Sequence, residues 1–209
     1  MQSPTTTHLQ ATKRVIRYVR CTLTHGVHLS CGPLTLSAFT DANWVGDPFD
    51  RKSTTGFIVF LGSNPISWSS MKQTMVSKSS IEAEYCALAT TVVELSWLRT
   101  LFRKLHLFLH HIPFLWCDNV FAIALASNLV FHARAKHVEV DYHFVQETVL
   151  CHDLCVRFVF GKVNLADMFT KPLAAPLFLF FKEKLMACSS PIRLRGDVEN
   201  DQVNDTIKR

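Results

Sequence analysis

Four acidic residues, Asp41, Glu84, Asp118 and Asp167, stand where an α/β chain brings distant segments together. Asp41 closes a first predicted strand and Asp118 a fourth. Glu84 lies in the first turns of a long predicted helix, and Asp167 in the first turn of the last one. Gathered in one cleft, four carboxylates repel one another strongly, and divalent cations relieve that repulsion. An oxygen-only ligand set favours Mg²⁺ or Mn²⁺ over zinc, so the chemistry these residues imply is that of a divalent-cation centre.

Each acid also has a structural duty open to it. Asp commonly starts turns, which is an alternative for Asp41 and Asp118. Glu82 and Glu84 compete for one helix position. Ser79-Ser80-Ile81-Glu82 matches the S-x-x-E capping box, which assigns Glu82 to the reciprocal cap. Glu84, about 200° further round the axis, is left without a structural task. Asn164 and Asp167 form a second cap-like pair, and local sequence leaves Asp167 open between cap and ligand. The seven cysteines are odd in number, scattered and never spaced C-x-x-C, so neither a disulfide framework nor a zinc ribbon is implied. Cys151, His152 and Cys155 come nearest to a metal cluster, yet they lack a second ligand pair.

The elements that must position these acids follow from periodicity. Leu9, Ala11, Val15, Ile16 and Val19 recur at near-helical spacing over about 8–23, after Ser3-Pro4 and a threonine run, with Gly26 as the stop. From Leu34 the period becomes two and ends at Asp41. Phe57, Val59 and Leu61 alternate after Gly56, and Ile66, Trp68 and Ser70 continue beyond the turn Gly62-Ser63-Asn64-Pro65. These predict a three-stranded antiparallel meander. From Ser79 the pattern is helical through Ile81, Tyr85, Leu88, Val92, Leu95 and Leu98. A strand over 114–117, helices over 119–126 and 137–150, a strand over 155–160 and a helix from about Asn164 complete the order βββαβααβα. That order predicts a mixed α/β sheet with flanking helices.

With 48% apolar and 19% charged residues in 209 positions, the chain fits one domain with short appendages. Its apolar runs, such as Leu173 to Phe181, fall short of the roughly 18 residues that span a bilayer, and no secretory signal opens it. A cytosolic or nuclear, non-secreted protein is expected. A net charge of +5 suits a polyanionic partner. Lys13, Arg14, Arg17 and Arg20 cluster in an arm with no acid before Asp41, readable as a solvated helix face or as phosphate contacts. The stretch after Cys188 is polar and aperiodic, which reads as a flexible tail over 188–209.

In order along the chain come SAFTDANWVGDPFDRKSTTGFIVFLGSNPISWSSMKQ, VSKSSIEAEYCALA, WCDN, AIALASN, FHARAKHVEVDYHFVQE and NLADMFTKPL. Together they closely resemble the ribonuclease H domain of copia-type retrotransposon Pol polyproteins, over about Leu34 to Leu173. The preceding SPTTTHLQATKRVIRYVRCTLTHGVHL resembles the connector from reverse transcriptase. The resemblance implies a connector remnant over 1–32, a ribonuclease H-like domain over 33–187 and the tail beyond. It implies a ribonuclease H-like fold and places the family's Asp, Glu, Asp, Asp group on Asp41, Glu84, Asp118 and Asp167. Asp167 thereby moves from open to expected ligand.

The implied reaction is hydrolysis of the RNA strand of an RNA–DNA hybrid with two Mg²⁺ or Mn²⁺ ions, bridged by Asp41. Glu84 and Asp118 would hold one ion and Asp167 the other. The implied partners are the hybrid and the reverse transcriptase of the same polyprotein, with no membrane and no small-molecule cofactor. The implied setting is a cytoplasmic virus-like particle or the nucleus. Lys72 and Lys78 are available to meet phosphates or to stand as solvated charges. The chain departs from the family pattern twice: Gly161-Lys162-Val163 replaces a loop that often carries His, and Val120 and Phe121 follow the Asp-Asn pair where polar residues are commoner. One rival is a catalytically silent fragment that at most binds nucleic acid. Another is an integrase-like strand-transfer core.

Overall fold

The computed structural model describes residues 3–23, 25–47, 49–127, 136–185 and 187–189. In chain order, α1 (Thr6–Thr22) and β1 (His25–Val27) precede the strands β2 (Leu36–Asn43), β3 (Thr54–Leu61) and β4 (Asn64–Lys72). Next come α2 (Ser80–Lys104), β5 (Phe114–Cys117), α3 (Val120–Ser127), α4 (Lys136–Leu150) and β6 (Cys155–Phe158). A 3₁₀ turn over Gly161–Val163 leads to α5 (Asp167–Thr170), α6 (Ala175–Lys184) and β7 (Ala187–Ser189).

Two compact units result. The smaller contains α1 and the antiparallel pair β1–β7, in which Gly26 faces Cys188. In α1, Thr5 caps the first turn by accepting from the His8 amide, and no residue of the helix is buried. The larger unit, from Leu29 onward, holds a five-stranded mixed sheet of order β4-β3-β2-β5-β6. β2, β3 and β4 are antiparallel neighbours, while β5 joins β2, and β6 joins β5, in parallel. The parallel joins require crossovers, which the helices α2 to α4 supply.

The buried run Phe57-Ile58-Val59-Phe60 of β3 explains how the sheet is clothed. Phe57 and Val59 face α2 and α4, in a core with Leu88, Val92, Leu95, Leu115, Tyr142 and Val145. Ile58 and Phe60 face the other way, against Leu165 and Phe181. Alternation therefore puts apolar side chains on both faces, as a strand covered on both sides needs. Tyr85 of α2 stacks on Tyr142 of α4 with ring centroids 5.1 Å apart, which ties the two crossover helices together. Ser79 caps α2 by accepting from the Glu82 amide at 3.2 Å. Glu82 returns the bond to the Lys78 amide at 2.8 Å, one residue earlier than the predicted box, in which it would reach Ser79.

Five expectations are corrected. β2 runs on to Asn43 because Ala42 and Asn43 pair with Thr55 and Thr54, so Asp41 lies inside the strand and does not close it. Gly26 does not stop the first helix, which ends at Thr22; the glycine lies in β1. β6 stops at Phe158, two residues short of the expected end. The single helix expected from about Asn164 is two, α5 and α6 in succession. Pro172 restricts Lys171 to extended backbone, φ −123° and ψ 144°, and that breaks the helix. The tail expected over 188–209 starts too early as well, because Cys188 and Ser189 belong to β7 and pair with β1; the rest of it lies outside the described residues.

Candidate functional site

Asp41 and Asp118 come from the same end of adjacent parallel strands. Phe39 of β2 pairs with Trp116 of β5, and each acid lies two residues further on. Asp41 is fully buried. Asp167 opens α5, which lies against β2 and β3 because Gly56, opposite Asp41 in the ladder, makes room for it. A Cβ on Gly56 would stand 2.6 Å from Thr170 Cγ2 and 2.9 Å from Phe169 Cβ, closer than packed atoms approach. Asn164, wholly buried, fixes the approach to α5. Its amide donates to the Thr40 carbonyl at 3.0 Å, and its oxygen accepts from the Ala166 amide at 3.1 Å. The expected Asn164–Asp167 cap is therefore absent: Asn164 ties α5 to β2, and Ala166 is the cap residue of α5.

Oxygens of Asp41, Asp118 and Asp167 lie within 4.8 Å of one another. Glu84, on the first turns of α2 and 9% exposed, comes within the same 4.8 Å of Asp118 and of the Cys117 sulfur. All four acids singled out from the sequence thus border one cleft. Three features of it had not been read from the sequence. The Lys171 ammonium donates to Asp41 Oδ1 at 3.0 Å and to Asp167 Oδ1 at 2.9 Å. The Thr170 hydroxyl donates to the other oxygen of Asp41. Asn43 holds that threonine in turn, donating to its carbonyl at 3.2 Å. The only local hint was the four-residue spacing of Asp167 and Lys171, which pairs charges on a helix.

The electrostatics record the crowding. Burial, then the charges of Asp41 and Asp118, push the Glu84 carboxyl up to about 9, so it holds a proton at neutral pH. Asp118 is raised by burial and by Asp41. Burial raises Asp167 as well, although its hydrogen bond to Lys171 opposes this. Burial disfavours the Lys171 ammonium, but the contacts with Asp167 and Asp41 outweigh it and lift its pKa above the ordinary lysine value. Burial also pushes the Cys117 thiol up to about 12, so it is a neutral thiol in the metal-free protein, beside the oxygen donors of the four acids.

This donor set fits a hard divalent cation. Glu84 Oε2 is buried without a hydrogen-bond partner, an acceptor for which a bound cation would account. A Cβ on Gly161, in the loop without His, would lie 3.1 Å from Asp118 Oδ2, so that loop comes close to the acids. Val120 and Phe121 flank Asp118 as exposed apolar side chains. The Lys72 ammonium is paired with Asp47 and Asp50 at the surface. Among the described residues, no helix is long and apolar enough to cross a membrane.

No family model matches the sequence. The chain is 46% identical over 186 residues to the retrovirus-related Pol polyprotein from transposon RE1 of Arabidopsis thaliana, covering 88% of this chain and 13% of that protein. The corresponding polyprotein from transposon RE2 of the same plant is 46% identical over 192 residues, 91% of this chain and 13% of that protein. Among solved structures, LC11-RNase H1, isolated from compost by a metagenomic approach, superposes with a TM-score of 0.49 at 16% identity, over 66% of this chain and 93% of that one. Identity this high along most of the sequence, against relatives of which it spans 13%, means that the chain belongs to the Pol polyproteins of copia-type retrotransposons and is homologous to one segment of them.

Proposed function

We propose that this segment is a ribonuclease H-type hydrolase that cuts the RNA strand of RNA–DNA hybrids during retrotransposon reverse transcription. The observation that carries this reading is the meeting of Asp41, Asp118 and Asp167, with Glu84 beside Asp118, in one cleft of oxygen donors. Homology to a Pol segment supports it, because reverse transcription makes such hybrids. Asp41, Glu84, Asp118 and Asp167 would hold two divalent cations, Mg²⁺ or Mn²⁺. When bound, such ions supply an activated water and charge stabilisation for the leaving oxygen.

The chain's own residues do the rest. Asp41 is held in place by Thr170, which Asn43 holds in turn. Asn164 pins the start of α5, and so the position of Asp167, to β2. Glu84 must give up its proton to act as a ligand, so loading the site releases a proton. Recognition of the hybrid would rest on backbone and shape, with weak sequence preference, since 2′-hydroxyls on one strand alone mark it for cutting.

A second reading, a silent fragment that binds nucleic acid without cutting it, draws on Gly161 at the rim and on exposed Val120 and Phe121. The experiment compares a hybrid, duplex DNA, duplex RNA and a hybrid whose RNA lacks 2′-hydroxyls around the cut. Cleavage confined to the RNA strand of the unmodified hybrid supports hydrolysis. Binding without cleavage favours the silent fragment, and equal cutting of duplex DNA favours an integrase-like core.

A further inference from the structure

The carboxylate cleft contains a cation of its own. We propose that Lys171 is a resident counter-ion: its ammonium holds Asp41 and Asp167 together in the metal-free protein and must leave them before a divalent cation can bind both. The inference rests on the reading of the cleft as a cation site. Lys171 Nζ lies 3.0 Å from Asp41 Oδ1 and 2.9 Å from Asp167 Oδ1, oxygens of the same acids that crowd within 4.8 Å of Asp118. An ammonium and a hard cation compete for the same carboxylate oxygens, and held this close the two like charges repel each other.

The local architecture lets the ammonium leave without disturbing the acids. The Lys171 side chain is 38% exposed whereas that of Asp41 is 0% exposed, so the lysine reaches in from the cleft mouth and its flexible stem can swing outward. Its backbone is already extended between α5 and Pro172. Thr170 keeps its own bond to the second Asp41 oxygen, and Asn43 anchors the Thr170 carbonyl, so Asp41 stays oriented when the ammonium departs. Lys171 serves two of the four acids, while Glu84 Oε2 stays buried without a hydrogen-bond partner. Lys171 is therefore a positioning residue that sets how strongly the site must compete for metal.

The test is calorimetric titration of Mg²⁺ into the 209-residue chain as wild type, Lys171→Met and Asp41→Asn. Lys171→Met should bind Mg²⁺ roughly tenfold more tightly than wild type, a usual size for coupling between competing ligands, and Asp41→Asn should lose binding. If wild type binds, Asp41→Asn does not, and Lys171→Met is no tighter than wild type, the counter-ion role is overturned while the cation site stands. If neither wild type nor Lys171→Met binds, both ideas are wrong. Removing the ammonium can unfold the metal-free protein, so the wild type supplies a second readout. Nitrogen-detected NMR of the Lys171 ammonium should show slowly exchanging protons without metal and fast exchange at saturating Mg²⁺. Protection that persists at saturation overturns the proposal.

Discussion

Lys72 and Lys171 each bridge two aspartates, Asp47 with Asp50 at the surface end of β4 and Asp41 with Asp167 inside the cleft. At the surface the outcome is ordinary. The hydrogen bond to Lys72 holds Asp47 below its usual value. Asp50 is lowered first by the Lys52 amide and then by Lys72. In the cleft the same chemistry does not suffice, because burial raises Asp167 in spite of Lys171, and burial together with Asp41 raises Asp118. A lysine partner thus accompanies a lowered Asp47 and a raised Asp167, and desolvation decides the sign. The surface group is screened and self-sufficient. The cleft is under an electrostatic load that its one lysine does not relieve, and a further cation would.

Glu84 carries most of that load. Its folded-state value of about 9 stands above the ordinary 4.5, so the folded protein keeps a proton that the unfolded chain has shed. Stability present below pH about 4.5 is therefore lost progressively as the pH rises to about 9.

The contrast breaks most visibly in activity. Asp41→Asn, Glu84→Gln, Asp118→Asn and Asp167→Asn should each lower single-turnover cleavage of a hybrid by roughly hundredfold or more, whereas Glu82→Gln should leave the rate unchanged. Loss of cleavage in Glu82→Gln with retention in Glu84→Gln would mean that the two helix faces are wrongly assigned. Next in size, Glu84→Gln should stabilise the metal-free protein at pH 8 by on the order of 2 kcal/mol and flatten its pH slope, measured by urea unfolding. Equal slopes in variant and wild type would place the buried proton elsewhere. Gly56→Ala should cost about 1.5 kcal/mol through overpacking against Thr170 and Phe169. It should slow cleavage too, because α5 carries Asp167, and a variant as stable and active as wild type would refute that close approach. Lys72→Met is the smallest change. Its melting curve and cleavage rate should match wild type at high salt, and a large loss there would give the surface pair a role denied to it here.

Much of the scaffold was legible because its periods are strong. The alternation in FIVF and the helical spacing from Ile81 to Leu98 gave β3 and α2, and Ser79 marked the start of α2. Glu84 could be separated from Glu82 for the same reason: a capping duty claims one glutamate and frees the other. What escaped depends on tertiary partners. The three-residue strands β1 and β7 are too short for any pattern. Asn164 resembles a cap in sequence, but it spends its amide on a strand 124 residues away. Lys171 reads as the basic end of a helix until β2 delivers Asp41 beside it, 130 residues away in sequence. Pro172 was visible throughout, and it accounts for the break between α5 and α6.

The central claim, that the four carboxylates form a cation site under electrostatic load, is tested most directly by the melting temperature at pH 8 with and without Mg²⁺, for wild type and Asp41→Asn. Wild type should gain roughly 5–10 °C at Mg²⁺ a hundred times its dissociation constant, by preferential binding to the folded state, and Asp41→Asn should gain almost nothing. A folded wild-type protein whose melting temperature is indifferent to millimolar Mg²⁺ would contradict the account.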